Sequence, residues 1–285
     1  MTTDTNAGKS TGMSAGAGTG TSAGAGTEAS AGAGTGTRAG RSTDPGQDLS
    51  QETLTPGRHT RIEPGILYFG TPVVLLSTRN EDGSPNLAPM SSAFWLGWRC
   101  MLGLGSRSQT ARNLLREREV VLNLPDDTLA GAVDALALTT GRDPVPEGKA
   151  RRGYRYVGDK FGRAGLTPLA SETVGPPRAA ECPVAMEAVV EATHPLADDD
   201  PAQRGGITVF EVRVQRVLVH DAIRMAGTGH RIDPDKWRPL LMSFQELYGL
   251  GGRLRPSALA SIPEDMYRGP DIARSRTAAG AAVRP

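Results

Sequence analysis

Residues 71–125, TPVVLLSTRNEDGSPNLAPMSSAFWLGWRCMLGLGSRSQTARNLLREREVVLNLP, constrain the fold more than any other part of the chain. Residues 71–78 are apolar on both alternating faces, Val73 and Leu75 on one and Val74 and Leu76 on the other. A short run of that kind, bounded by turn residues, reads as a strand buried on both sides, as in a closed barrel. Asn80-Glu81-Asp82-Gly83 then supplies a hairpin turn in which Gly83 takes the positive φ. Residues 86–95 and 99–104 read as the next two strands, separated by Leu96-Gly97-Trp98. Gly103 and Gly105 leave the end of the second without side chains, so another backbone or a ligand can approach it closely. The stretch from Ser106 to Thr110 is polar throughout, and Ala111, Leu114 and Leu115 follow at helical spacing with Arg116, Glu117 and Arg118 outward. A loop therefore feeds a helix N-terminus, and residues 120–124 return as a strand.

The rest of the chain completes or covers that unit. Asp126 or Asp127 caps a helix with Leu129, Val133 and Leu136 on one face. Residues 139–180 are rich in Gly, Pro and charge, with Lys149, Arg151 and Arg152 close together, and read as long connections around a short helix near 156–161. Residues 185–192 set Met186, Ala188 and Val190 against Glu187 and Glu191. Residues 207–219 set Phe210, Val212, Val214 and Leu218 against Glu211, Arg213 and Gln215. That period of two, with one wet face, belongs to antiparallel pairing. Asp233-Pro234 reads as the start of a helix carrying Trp237. Strands outnumber helices, which gives a mainly β fold, an antiparallel barrel with peripheral helices.

Composition sets the boundaries. Residues 1–57 are Gly, Ala, Thr and Ser in near-repeats and lack the apolar side chains that would offset their ordering entropy, so they read as a disordered tail, as do residues 271–285. Residues 58–270 are left as one domain with a full-sized core. The N-terminal stretch has no apolar h-region behind a basic start, and no run is long enough to span a bilayer. With a formal net charge of +1 and interspersed signs, the chain has no nucleic-acid footprint. Cys100 and Cys182 lack metal-ligand spacing and read as buried thiols of a reducing compartment, so the expected location is cytoplasmic, without membrane or metal.

Two places could carry chemistry. A helix start near Ser108 presents unpaired N–H groups and the positive end of a dipole, a site for phosphate to which Arg107 can add a charge-assisted bond; the plainer role for Ser108 is to cap the helix. The small residues of the strand at 86–95 expose amides to a flat ring, with Phe94, Trp95 and Trp98 as apolar cover or simply as core. No dinucleotide, P-loop, nucleophile-elbow or zinc-protease motif is present, and His59, His194, His220 and His230 are scattered. An enzyme of this kind leaves its chemistry to a cofactor.

Taken in order, TPVVLLSTRNEDGSPNLAP, SSAFW, SRSQTARN, VVLNLP, KFGRAGLTP at 160–168 and AAECPVAMEAVV at 179–190 resemble the flavin reductase-like family, whose fold is the FMN-binding split β-barrel. The resemblance implies an antiparallel split barrel that dimerises with FMN near the interface. Carried over, Ser91, Ser92 and Ala93 edge the isoalloxazine ring. Ser106, Arg107, Ser108 and Thr110 hold the phosphate with Asn113 nearby, and Lys160 and Phe161 close the pocket. It further implies an NAD(P)H-dependent reductase that passes reduced flavin to a partner monooxygenase. Alternatives are an FMN-retaining oxidoreductase acting on a specific metabolite, or a non-catalytic flavin-binding protein. Phosphate-loop chemistry does not separate FMN from FAD or a deazaflavin. The family's usual Gly-Asp-His before the strand at 207–219, whose His sits near the nicotinamide in many reductases, is replaced here by Gln203-Arg204-Gly205-Gly206. Residues 141–156 and HRIDPDKWRPLLMSF exceed what a minimal reductase needs and could build a pocket for another substrate.

Overall fold

The computed structural model describes residues 57–282, and those from Ile62 onward form one compact unit. In chain order its elements are β1 (Phe69–Pro72), β2 (Val74–Arg79), β3 (Pro85–Met90), β4 (Ala93–Leu96), β5 (Arg99–Gly105), α1 (Gln109–Glu117), β6 (Glu119–Leu124), α2 (Ala130–Asp134), β7 (Thr139–Thr140), α3 (Glu147–Ala150) and β8 (Arg155–Tyr156). They continue with α4 (Lys160–Ala164), β9 (Pro168–Leu169), β10 (Arg178–Ala179), β11 (Val184–Leu196), β12 (Ile207–Val219), β13 (Leu240–Ser243), β14 (Glu246–Gly249) and α5 (Pro270–Ala282). The expectation for residues 1–57 falls, but for its last residue, outside that range.

Seven strands form one antiparallel sheet in the order β3-β2-β6-β11-β12-β5-β4. Its two edge strands are neighbours in sequence, joined only by Ser91 and Ser92. A link of that length reaches roughly 11 Å at most, so the sheet must curl until its edges meet at this end. The Gly103 amide donates to the Ser92 carbonyl at 2.9 Å across the junction. The result is a split β-barrel, as the sequence resemblance implies.

The β2–β3 hairpin sets the register. Val74 pairs with Met90 and Arg79 with Pro85, and Gly83 sits at φ +83° in the turn. Asn80 N–H donates to the Ser84 carbonyl at 2.9 Å. Because side chains alternate along β2, Val74 and Leu76 enter the barrel interior while Val73 and Leu75 face a second apolar layer. Each fully buried Val or Leu is worth about 1.5–3 kcal/mol. The interior is filled by Leu102, Leu122, Phe210 and Val212 and plugged by Ala111 and Leu114 of α1. The outer layer, where Leu87, Leu136, Phe161 and Leu240 meet, is covered by α2, α4 and β13. Both Cys100 and Cys182 are buried and free, and burial pushes each thiol up to about 12.

Several expectations are corrected. The strand expected over 86–95 is two strands, broken at Ser91 and Ser92 because these residues cross from one sheet edge to the other. Asp233 starts a single turn, closed by the Lys236 and Trp237 amides on its carbonyl, and no helix follows, since Pro239 cannot donate to one; β13 and β14 form a hairpin beyond it. The short helix begins at Lys160, where the Asp159 carboxylate caps Gly162 N–H at 2.8 Å. Glu187, assigned above to the wet face of β11, is fully buried. Its carboxylate accepts from the amides of Glu172 (2.8 Å) and Thr173 (2.6 Å) and from the Thr173 hydroxyl (2.6 Å), so the loop between β9 and β10 covers that face. Residues 271–285, read as a tail, contain most of α5. Its alanines favour helix, and Asp271 accepts from Arg99 Nε at 3.0 Å while Ser275 is buried, α5 lying against β12.

Candidate functional site

A cleft of about 660 Å³ opens beside the sheet junction, within the range of small-molecule and cofactor sites. One wall is the edge the sequence singles out: Ser91 and Ser92 from the crossing, with Gly103 and Gly105 of β5. A Cβ on Gly103 would lie 3.3 Å from Ser92 Cβ, so glycine is what allows the two segments this approach. Tyr68 leans over that edge, its hydroxyl 3.2 Å from Ser92 Oγ.

A second wall is the start of α1. Ser108 is its N-cap, with Oγ accepting from Ala111 N–H at 3.1 Å. That leaves the amides of Gln109 and Thr110 without helical partners, as at any helix start. Positions in this wall are fixed from behind by a buried polar network. Asn86 Nδ2 donates to Thr78 Oγ1 and Thr110 Oγ1, each at 3.2 Å. Asn113 Nδ2 donates to Thr78 Oγ1 at 3.0 Å and to Asn80 Oδ1 at 2.9 Å. Thr110 Oγ1 accepts from Asn86 and still has a proton to donate.

The third wall belongs to residues 133–154. Gly141 crosses so close that a Cβ there would stand 2.6 Å from Asn86 Oδ1. Lys149 Nζ and Arg152 Cζ lie 5.1 and 5.7 Å from the Tyr154 ring centroid, both within cation–π reach. Leu136, Leu138, Met242 and Leu247 supply apolar cover. At the base is Lys160, 3% exposed, whose amine has no hydrogen bond or ion pair among the described residues. Burial, and secondarily the Lys149 ammonium, push that amine down to about 8. Lys149 is itself lowered, by burial first and then by Arg152 and Arg142.

Of the ten residues named from sequence, the structure brings Ser91, Ser92, Ser108, Thr110 and Lys160 together around the cleft. The other five do not line it. Ala93 and Phe161 are core. Ser106 Oγ pairs with Thr208 Oγ1 at 2.8 Å, Arg107 is exposed, and Asn113 braces α1 from behind. Nor do Phe94, Trp95 and Trp98 cover it; Phe94 is exposed and Trp95 packs on the barrel interior. Sequence reading missed Tyr68, Gln109, Lys149, Arg152 and Tyr154 as cleft residues. The available signal was the basic run near 149–152, which has no apolar periodicity to tie it to a helix face.

Comparison with known proteins gives the family of this fold. The family model described as "Flavin reductase like domain" matches residues 66–251. The uncharacterized protein YdfE of Bacillus subtilis (strain 168) is 36% identical over 194 residues, 68% of this chain and 90% of that protein. Flavoredoxin of Desulfovibrio vulgaris (Miyazaki F) superposes with a TM-score of 0.58 at 20% identity, covering 72% of this chain and all of its own. Nitrilotriacetate monooxygenase component B from Bacillus cereus gives 0.55 at 20% identity, covering 70% of this chain and all of its own. At such identities the structures speak for the fold, whereas the family model spans the barrel and every wall of the cleft from Tyr68 to Leu247: the chain belongs to the flavin reductase-like family.

Proposed function

We propose that the protein is a flavin oxidoreductase that holds FMN in this cleft, takes hydride from NAD(P)H and supplies reduced flavin to a partner monooxygenase. The observation that carries the reading is the convergence on one cleft of a helix start, a small-residue sheet edge and a buried ammonium with no partner among the described residues. Ser91 and Ser92 offer a polar edge to a flat ring, and Leu136, Leu138 and Met242 exclude water around it. The Ser108 and Thr110 hydroxyls with the amides of Gln109 and Thr110 suit a phosphate, aided by the helix dipole. Lys160 places positive charge at the base of the cleft, where a ligand carrying negative charge offsets the cost of its burial. A bound flavin supplies the hydride-accepting ring. The protein's part is to fix the geometry of two stacked reactants and keep the site dry, which needs no acid–base relay. FAD or a deazaflavin presents similar phosphate chemistry, so mass spectrometry of the extracted cofactor identifies the form.

We also propose that the protein is a homodimer. In support, β4 is a sheet edge bearing the exposed side chains of Phe94 and Leu96 (54% and 75% exposed). A cytoplasmic location belongs to the same reading, resting on two unbridged thiols. No helix among the described residues is long and apolar enough to cross a membrane.

The deciding experiment is anaerobic: the purified chain, titrated with FMN, is followed at the flavin absorbance on adding NADH or NADPH. Bleaching, with NAD(P)H oxidation in air that scales with added free FMN, is the expected result. Tight flavin without turnover points instead to a metabolite-specific or purely binding role. The double variant Ser108→Ala/Thr110→Ala is expected to weaken FMN at least about tenfold, from loss of two hydrogen bonds to a charged group, and riboflavin far less. Unchanged FMN affinity overturns the phosphate assignment.

A further inference from the structure

Two concave sites lie side by side, sharing Gln109 and Gly141. They differ in charge. The smaller, about 640 Å³, sets Arg112 and Arg142 against Glu81, Asp82, Asp143 and Asp159, two cations against four carboxylates. In the main cleft Lys149, Arg152 and Lys160 face one carboxylate, Asp134. None of those three cations has a carboxylate partner among the described residues; Arg152 donates only to the Gly148 carbonyl, at 3.0 Å. Here Lys149 and Arg152 both lie within cation–π reach of the same Tyr154 ring and Lys160 is buried beside the cleft they line. Lys149 is half-buried and Arg152 exposed, so their mutual repulsion is partly screened by solvent, and an anion seated beside both relieves what is left of it.

With Lys160 given to the flavin and the flavin phosphate given donors at the start of α1, a separate element, Lys149 and Arg152 still face only Asp134. Lys149 belongs to α3, and Arg152 and Tyr154 to the turn after it, within the segment 141–156 that the sequence marks as an elaboration. From these observations we infer that Lys149, Arg152 and Tyr154 form a phosphate subsite for the nicotinamide dinucleotide that enters the cleft. This rests on the oxidoreductase reading above. Guanidinium and ammonium groups together suit a phosphate oxygen set, and the Tyr154 hydroxyl adds a donor. The dinucleotide carries such groups in its pyrophosphate, and in NADPH also at the 2′ position.

The test is equilibrium titration of the full chain with the redox-inert NAD⁺ and NADP⁺, with and without FMN, in wild type, Lys149→Gln, Arg152→Gln and the double variant, each checked for an unchanged melting temperature. Wild type is expected to bind at least one dinucleotide with an affinity that falls with salt, and the double variant to lose tenfold or more. Equal losses for both place the pyrophosphate there; a larger loss for NADP⁺ places the 2′-phosphate. Dinucleotide affinity unchanged in the double variant, or no binding of either dinucleotide to wild type, overturns the subsite. A loss of FMN but not riboflavin affinity, with dinucleotide binding intact, also overturns it and gives these cations to the flavin phosphate. Should FMN fail to bind at all, the flavin reading falls, while the dinucleotide titrations still decide this one. Should the double variant melt early, the single variants and the salt dependence of wild type carry the same decision.

Discussion

Lys160 illustrates how one residue can cost the empty protein stability and serve the loaded one. It is 3% exposed and its side chain has no partner among the described residues, and burial, with the Lys149 ammonium as a second cause, brings the amine from the ordinary 10.5 to about 8. Below pH 8 the proton is bound in folded and unfolded chains alike, and the folded state bears the full penalty. Between about 8 and 10.5 the folded chain sheds the proton first, so stability of the ligand-free protein rises with pH across that window. Lys160→Met is expected to stabilise the ligand-free protein by about 1–3 kcal/mol at pH 7, since replacing a buried unpaired charge by an apolar chain of similar length removes its desolvation cost. It should also flatten the rise between pH 8 and 10.5 and weaken FMN. Denaturant midpoints measured at pH 7 and pH 10 check both, and a destabilised variant with the rise intact would show that the amine has a partner.

Among the elements, β11 shows why strand patterns in sequence are ambiguous about the outer face. Met186, Ala188 and Val190 point inward as the alternation requires, and the acidic positions between them read as solvated. Yet Glu187 is closed over by the loop joining β9 and β10, a long-range contact that no local pattern announces. Its carboxylate satisfies two amides and a hydroxyl with Arg178 Nε 3.7 Å away. Glu187→Gln turns one acceptor into a donor facing donors and is expected to cost about 2 kcal/mol, read as a lower urea midpoint with unchanged m-value and early protease cleavage within 170–178. A midpoint within experimental error of wild type would mean the loop is held by its other contacts. The network of Asn86, Thr78, Thr110 and Asn113 is a parallel case. Sequence placed Asn113 near the ligand, and the structure makes it the brace that fixes the helix start which forms the cleft wall.

At the scale of the whole molecule, the fold follows from two sheet edges being joined by Ser91 and Ser92, and the exposed edge β4 is the surface on which self-association is expected. Sedimentation equilibrium should give twice the chain mass of 29.9 kDa, and Leu96→Arg should shift it toward one. A monomer at micromolar concentration would remove the dimer from the reading. Much of this architecture was legible in the chain itself. The short apolar run of β2, the alternation in β12, the Asn80–Gly83 turn and the polar approach to α1 are local signals, because strand pattern, turn φ and helix capping act over a few residues. The same locality marked Ser108 and Thr110. What residues 139–160 do was decided only by tertiary structure: their Gly, Pro and charge carry no period, and the role of Lys149, Arg152 and Lys160 depends on which distant wall they are folded against. Sequence determined the barrel and one side of its cleft, since those rest on neighbour-to-neighbour physics. The other side, and the charge that meets a ligand there, arise from burial and from the convergence of segments far apart in the chain.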